Sequence, residues 1–321
     1  MNPLHEQLAK LSPEQRALFE QKLKERGLNA PRQNRIPARN QEGALPLSFA
    51  QERLWFVQQF DPQNTAYNVS SALRLRGALD QEALQRALSG IVTRHESLRT
   101  SFHKNEHGQP ELRVHESDRA ALAFIELAGT SDEESEALEK ISTLVAKPFD
   151  LTTPPLQFCL FHLADDDHIL AFVTHHLVCD RWSVMVFMRE LAQLYLAGAS
   201  TLPPLPIQYP DWALWQRDQL ASKTGETQLE YWKERLADHP APLELPTRSP
   251  QNDATHQGAH HPLRFGPELS ARIKELALQH EVSLFTFLLT AFKALLNRYT
   301  GNEDIVVGSE VANRDRPETA G

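Results

Sequence analysis

The stretch Ile169-Leu170-Ala171-Phe172-Val173-Thr174-His175-His176-Leu177-Val178-Cys179-Asp180-Arg181-Trp182-Ser183 changes character halfway along. Its first five residues are an apolar run with the signal of a strand, a setting where ionisable groups are costly to bury. After Trp182 the period becomes helical, with Val184, Phe187, Met188, Leu191, Leu194 and Tyr195 on one face. Two imidazoles and a carboxylate therefore sit where a strand hands over to a helix. That junction decides the fold class and raises the question of function.

Outward from it, strands and helices alternate from about residue 44. Residues 71–76 alternate apolar and polar as a half-buried strand does, and Asp80 caps a helix that runs to about Thr93. Strand signals recur at residues 97–103, 111–115, 122–127 and 156–163. The pattern is α/β. Two proline-rich stretches, 202–206 and 240–246, flank a helical reading over 211–237 and place the domain boundary there. Residues 262–270 then open a strand-then-helix unit that faintly echoes residues 72–80. The chain closes soon after a strand signal at 304–308, with little sequence left to pair it, so the second domain looks unfinished. At the other end, residues 3–27 read as a separate helix, with Ser12-Pro13-Glu14 as its cap, followed by a polar, proline-punctuated linker over 29–40. That helix suits a docking element for another protein or a strut on the main body.

At 321 residues the chain is long enough for about two domains. Its net charge of −9 argues against nucleic acid, because neutralising phosphates needs a basic face. Residues 284–292 form an apolar helix far shorter than the roughly 20 residues of a membrane span, and read as a buried core helix. The start has no basic region leading into an apolar one, so no secretory signal is read. Cys159 and Cys179 have no metal-site spacing and read as reduced thiols packed as small hydrophobes in a cytoplasmic protein.

Successive side chains on a strand point to opposite faces, so His175 and His176 cannot close on one ion. That argues against a metal centre built from His175, His176 and Asp180. The expected division is one imidazole packed inside and one facing a cavity. No Gly-x-Ser-x-Gly turn surrounds Ser183, which fits a helix cap better than a hydrolase nucleophile. Asp180 stands where a carboxylate satisfies the free amides of a helix start, and it could equally anchor an arginine. From this stretch alone, a structural pair and a single exposed imidazole acting as base or hydrogen-bond acceptor fit equally well.

Five segments in order break the tie. Leu47-Ser48-Phe49-Ala50-Gln51-Glu52-Arg53-Leu54-Trp55-Phe56 resembles the first core motif of the condensation domains of nonribosomal peptide synthetases. Arg94-His95-Glu96-Ser97-Leu98-Arg99-Thr100-Ser101-Phe102 resembles the second, the histidine stretch the third, Tyr209-Pro210-Asp211-Trp212-Ala213-Leu214-Trp215-Gln216 the fourth, and Val307-Gly308-Ser309-Glu310-Val311-Ala312-Asn313-Arg314 the fifth. The resemblance implies an α/β, chloramphenicol-acetyltransferase-like sandwich in two lobes forming a V with a tunnel between them, the second lobe incomplete here. The expected domains are 1–40 as helix and linker, 41–215 as the first condensation subdomain, and 216–321 as part of the second.

By the same resemblance, carrier domains bring donor and acceptor on phosphopantetheine arms from opposite ends, and the domain binds no cofactor of its own. An acceptor amine attacks the donor thioester to form an amide. His176 is the implied catalytic residue. His175, Asp180, Arg94 and Arg99 support it, with Asp180 paired to Arg94. Arg181, Trp182, Ser183 and Ser309 are placed along the tunnel, although Trp182 also suits the core. Neighbouring synthetase modules are expected partners, through residues 1–30. Nucleic acid and membrane are not.

Two positions depart from the family pattern: Arg181 stands in place of glycine, and Glu310 in place of proline. Arg181 could narrow the tunnel, bind an acidic donor group or swing to solvent. A catalytically silent relative that docks carrier proteins or a tailoring enzyme is the competing reading.

Overall fold

The computed structural model describes residues 35–40, 43–117, 120–130, 132–197, 202–238, 242–245 and 261–319. The helix expected over 3–27 lies outside them. The chain divides into two compact units, one reaching Ser222 and resuming at Ala312, the other Lys223–Val311.

The first unit is built on a four-stranded sheet ordered β2-β7-β6-β5, with β2 at Asn68–Arg76, β5 at Leu122–Glu126, β6 at Leu156–Ala164 and β7 at Asp167–His175. Only the β5–β6 pair is parallel. Helix α3, Glu133–Val145, covers one face, where its Ala137 and Ile141 meet Cys159, Phe161, Ile169 and Ala171. Helices α2, Gln81–Arg94, and α4, Arg181–Ala197, cover the other. There Leu84, Leu88 and Ile91 join Phe187 and Leu191 over Phe158, Leu160, Leu170 and Phe172. The rings of Phe158, Phe172 and Phe187 stack at centroid separations of 4.6–5.8 Å. With β7 covered on both faces, every residue from His168 to His175 is buried, which is why residues 169–173 carry no polar alternation.

A second sheet, ordered β1-β4-β3, joins Leu45–Pro46, Pro110–Val114 and Thr100–Lys104. Asp80 caps α2 by accepting from the Ala83 amide at 2.8 Å. Helix α1, Phe49–Phe60, is held by a capping box in which Ser48 and Gln51 satisfy each other's amides. Cys159 and Cys179 are free, buried thiols, and burial raises both above the usual thiol range, Cys179 to about 12.

Helix α5 covers Tyr209–Leu220 in the first unit; α6, Lys223–Arg235, begins the second. The single helix expected over 211–237 is thus broken at Ala221 and Ser222. The second unit continues with α7, Pro267–Gln279, and α8, Leu284–Thr300, capped by Ser283 and closed by Gly301 at φ 74°. Residues 284–292 are helical as expected but not buried, since Leu284, Phe285, Leu288 and Phe292 are all exposed. Neither residues 262–266 nor 304–308 form a strand. A strand needs a neighbour to take its amides and carbonyls, and no described residue supplies one there. No helix among the described residues is long and apolar enough to cross a membrane.

Candidate active site

His175 is the last residue of β7, paired with Asn68 across the ladder. The strand's alternation then separates the two imidazoles: His175 is 1% exposed, whereas His176 is exposed. The Leu177 amide donates to His175 Nδ1 at 3.1 Å, so in the neutral ring the proton sits on Nε2. Nε2 is buried without a hydrogen-bond partner. A proton on Nδ1 would break the Leu177 bond and place a charge in the core. Burial, then the neighbouring charge of His176, push the His175 pKa down to about 4. A neutral, fixed His175 leaves His176 to do any chemistry facing outward.

The turn that carries His176 is held from several sides. The His176 amide donates to the Tyr67 carbonyl at 2.8 Å, and the Val178 amide to the His175 carbonyl at 3.0 Å. Gln51 Nε2 donates to the Leu177 carbonyl at 2.9 Å, so the first motif reaches directly behind the histidines. Ser48 Oγ in turn lies 2.9 Å from the Tyr209 hydroxyl of the fourth motif. Leu177, Val178 and Cys179 are buried, which anchors the turn.

Asp180 caps α4. Its Oδ1 accepts from the Ser183 amide at 2.7 Å and the Ser183 hydroxyl at 2.5 Å. Arg314 Nη2 reaches the same oxygen at 3.4 Å and Ser183 Oγ at 3.1 Å. Burial works to raise the Asp180 pKa, but the Ser183 bonds and the charges of Arg314 and His176 hold it below the carboxylate range.

The expected Arg94–Asp180 pair is not formed. Arg94 Nε lies 3.2 Å from Glu190 Oε1 and its Nη1 donates to the Pro203 carbonyl at 2.7 Å, while His95 Nε2 sits 2.6 Å from Glu190 Oε2. Glu190 is 2% exposed, so Arg94 and His95 compensate a carboxylate buried in the α4 interface and are drawn away from Asp180. Arg99 donates to the His115 carbonyl and lies 3.8 Å from Glu96, which ties it to the second motif's own surroundings. Trp182 is 42% exposed and so not a core residue. Arg181 is exposed beside it, and among the described residues no hydrogen bond or ion pair reaches its guanidinium. Ser309 is exposed in the second unit, after α8.

Sequence reading missed Glu190 and gave Arg314 and Gln51 no role. Glu190 left a signal: it falls between Phe187, Leu191 and Leu194 on an apolar helical face, and a carboxylate there needs a buried partner. Arg314 and Gln51 lie inside quoted motifs, but their partners are distant in the chain and spacing cannot find them.

Strand β7 thus ends in a buried histidine followed by an exposed one, with a carboxylate at a helix start four residues further on. The sequence model of the condensation domain matches residues 41–321, and the chain belongs to that family. It is 40% identical over 327 residues to phosphinothricin tripeptide synthetase PhsC of Streptomyces viridochromogenes, covering 99% of this chain and 30% of the synthetase. Among solved structures it is similar to the first condensation domain of the calcium-dependent antibiotic synthetase, in complex with a substrate analogue. The TM-score is 0.70 at 27% identity, covering 87% of this chain and 66% of that one. It is also similar to the X-domain that was solved in complex with OxyB from teicoplanin biosynthesis, at TM-score 0.72 and 26% identity, covering 84% and 60%. The fold is therefore the chloramphenicol-acetyltransferase-like fold of condensation domains, and the chain spans under a third of PhsC.

Proposed function

We propose that this chain catalyses amide-bond formation between two carrier-bound substrates, as an acyltransferase of nonribosomal peptide synthesis working in the cytoplasm. The donor acyl or peptidyl group arrives as a thioester on one phosphopantetheine arm, and an aminoacyl acceptor on another. The acceptor nitrogen attacks the thioester carbonyl, a C–N bond forms, the C–S bond breaks, and the proton lost by the amine ends on the departing thiolate. An α-amine has a pKa of about 7.7–8.0, so a neutral imidazole at His176 needs only to accept or orient that proton. The same ring can donate to the tetrahedral oxyanion. Holding both arms end to end supplies much of the rate by proximity.

The observation that carries the reading is the exposed His176 imidazole on a turn fixed by Tyr67, Gln51 and the buried, neutral His175. The proposed partners are donor and acceptor carrier domains and neighbouring modules, the latter through residues 1–30. Arg181, Trp182, Ser183 and Ser309 are assigned to the substrate path. The silent docking alternative has less support, because the His-His-x-x-x-Asp core is whole. The test loads aminoacyl donor and acceptor thioesters on separate carriers and follows the dipeptidyl carrier by intact-protein mass. The chain should form it, and His176→Ala should abolish transfer with the unfolding midpoint unchanged. Equal turnover by His176→Ala would sink the assignment.

A further inference from the structure

Residues 35–40 precede the first residue of the family match, at 41, and their polar, proline-punctuated sequence reads as a linker. They are nevertheless bound into the first unit. Ile36 is 4% exposed. Arg39 Nη2 lies 2.8 Å from Glu96 Oε2 of the second motif, and Nη1 lies 2.8 Å from Asp211 Oδ1 of the fourth. The Arg39 backbone amide also donates to Asp211 Oδ1, at 3.3 Å.

Gln208 ties the Asp211 carboxylate to the backbone of the second motif. Its backbone amide donates to Asp211 Oδ2 at 2.7 Å, its Oε1 accepts from the Glu96 amide at 3.1 Å, and its Nε2 donates to the Arg94 carbonyl at 2.9 Å. Arg39, Glu96, Gln208 and Asp211 thus form a closed ring. Tyr209, next in the chain, meets Ser48, whose neighbour Gln51 holds the carbonyl of Leu177. The ring is connected to the turn that carries His176 through Tyr209, Ser48 and Gln51.

The chemistry of the ring is selective. The Asp211 and Glu96 side chains are 3% and 15% exposed, so their charges need a partner at close range. A guanidinium can span two carboxylates with separate nitrogens; an ammonium on a flexible stem is a point charge that favours one.

We propose that Arg39 is a positioning residue of the condensation reaction, a clamp that fastens the segment before the family fold across the second and fourth motifs and so fixes the turn bearing His176. The inference rests on the proposed function for its kinetic consequence and on geometry for its structural one, and two measurements separate them. In the 321-residue chain, Arg39→Met should lower kcat for dipeptidyl-carrier formation by about tenfold per folded molecule, with KM for each loaded carrier within about twofold. Arg39→Lys should restore kcat only in part. Independently of turnover, hydrogen exchange at the His176 and Leu177 amides should speed up on the order of tenfold in Arg39→Met, while the amides of Leu170 and Phe172 keep their rates.

Unchanged exchange at 176 and 177, or a kcat loss that only follows the folded fraction, overturns the clamp. Should the methionine variant not fold, the lysine variant carries the same two readouts. A wild-type chain that makes no dipeptidyl carrier would count against the function alone, and the exchange result would still decide the clamp.

Discussion

Arg314 shares Asp180 with the cap of α4: the oxygen it approaches at 3.4 Å already accepts both the amide and the hydroxyl of Ser183. Asp180 is therefore a helix cap first and an ion-pair partner second. The two side chains are 32% and 20% exposed, where a screened pair contributes under about 1 kcal/mol. A lost aspartate cap costs about 1 kcal/mol, up to ~2.

The two roles are separable by substitution. Asp180→Asn keeps an oxygen for Ser183 but removes the charge, so it should cost under about 1 kcal/mol in urea unfolding. Asp180→Ala loses cap and pair together and should cost about 2 kcal/mol. Equal costs for Asp180→Ala and Asp180→Asn would make the charge, and not the cap, the stabilising element.

The buried His175 gives a pH dependence with a definite sign. Its folded pKa is about 4, below the ordinary value of 6.5, so the unfolded chain binds more protons between these limits. Stability is then fully present above about pH 6.5 and falls as pH drops toward 4. Between pH 6.5 and 5 the loss amounts to about 2 kcal/mol from this group at most. His103 and His168 are also lowered, chiefly by burial, and contribute with the same sign. The His175 share is isolated by comparison with His175→Asn, whose side-chain oxygen can still accept from the Leu177 amide. That variant should show a flatter profile of urea midpoint against pH over this window. A slope equal to that of the wild type would mean that His175 is not the titrating group.

The first unit was readable wherever one local pattern sufficed. Alternation found β2, the apolar run found β7, and Asp80 announced α2. Reading failed where the answer lay in a distant partner. Nothing local distinguishes Arg94 from Arg314 as the mate of Asp180; the buried Glu190 decides it by holding Arg94. Residues 304–308 have strand composition but no described neighbour, and composition cannot supply one. The apolar stripe of α8 was legible as a helix, yet burial depends on what covers it. The polar residues 35–40 read as linker because Arg39 looks solvated until Glu96 and Asp211 are brought beside it. At the site, divergence of His175 and His176 followed from strand geometry alone. Which ring would be buried did not.

Arg181 stands near the proposed catalytic residue where the resemblance leads one to expect glycine, and its role is open to a direct measurement. It is the first residue of α4, exposed, five residues after His176 and adjacent to the half-exposed Trp182. Since no described partner holds its guanidinium, Arg181→Gly should cost little stability. A glycine in the first helical turn should cost no more than about 1 kcal/mol relative to a good helix former. If the arginine narrows the donor path, removing its side chain should admit bulkier donors while the acceptor KM stays within about twofold. If it binds an acidic donor group, the variant should instead lose rate selectively for donors with a side-chain carboxylate, by roughly tenfold, the scale of one exposed charge-assisted contact. A panel of small, bulky and acidic aminoacyl thioesters, read by dipeptidyl-carrier mass, tells the two apart. An unchanged donor profile would mean that Arg181 points to solvent and has no bearing on donor selectivity.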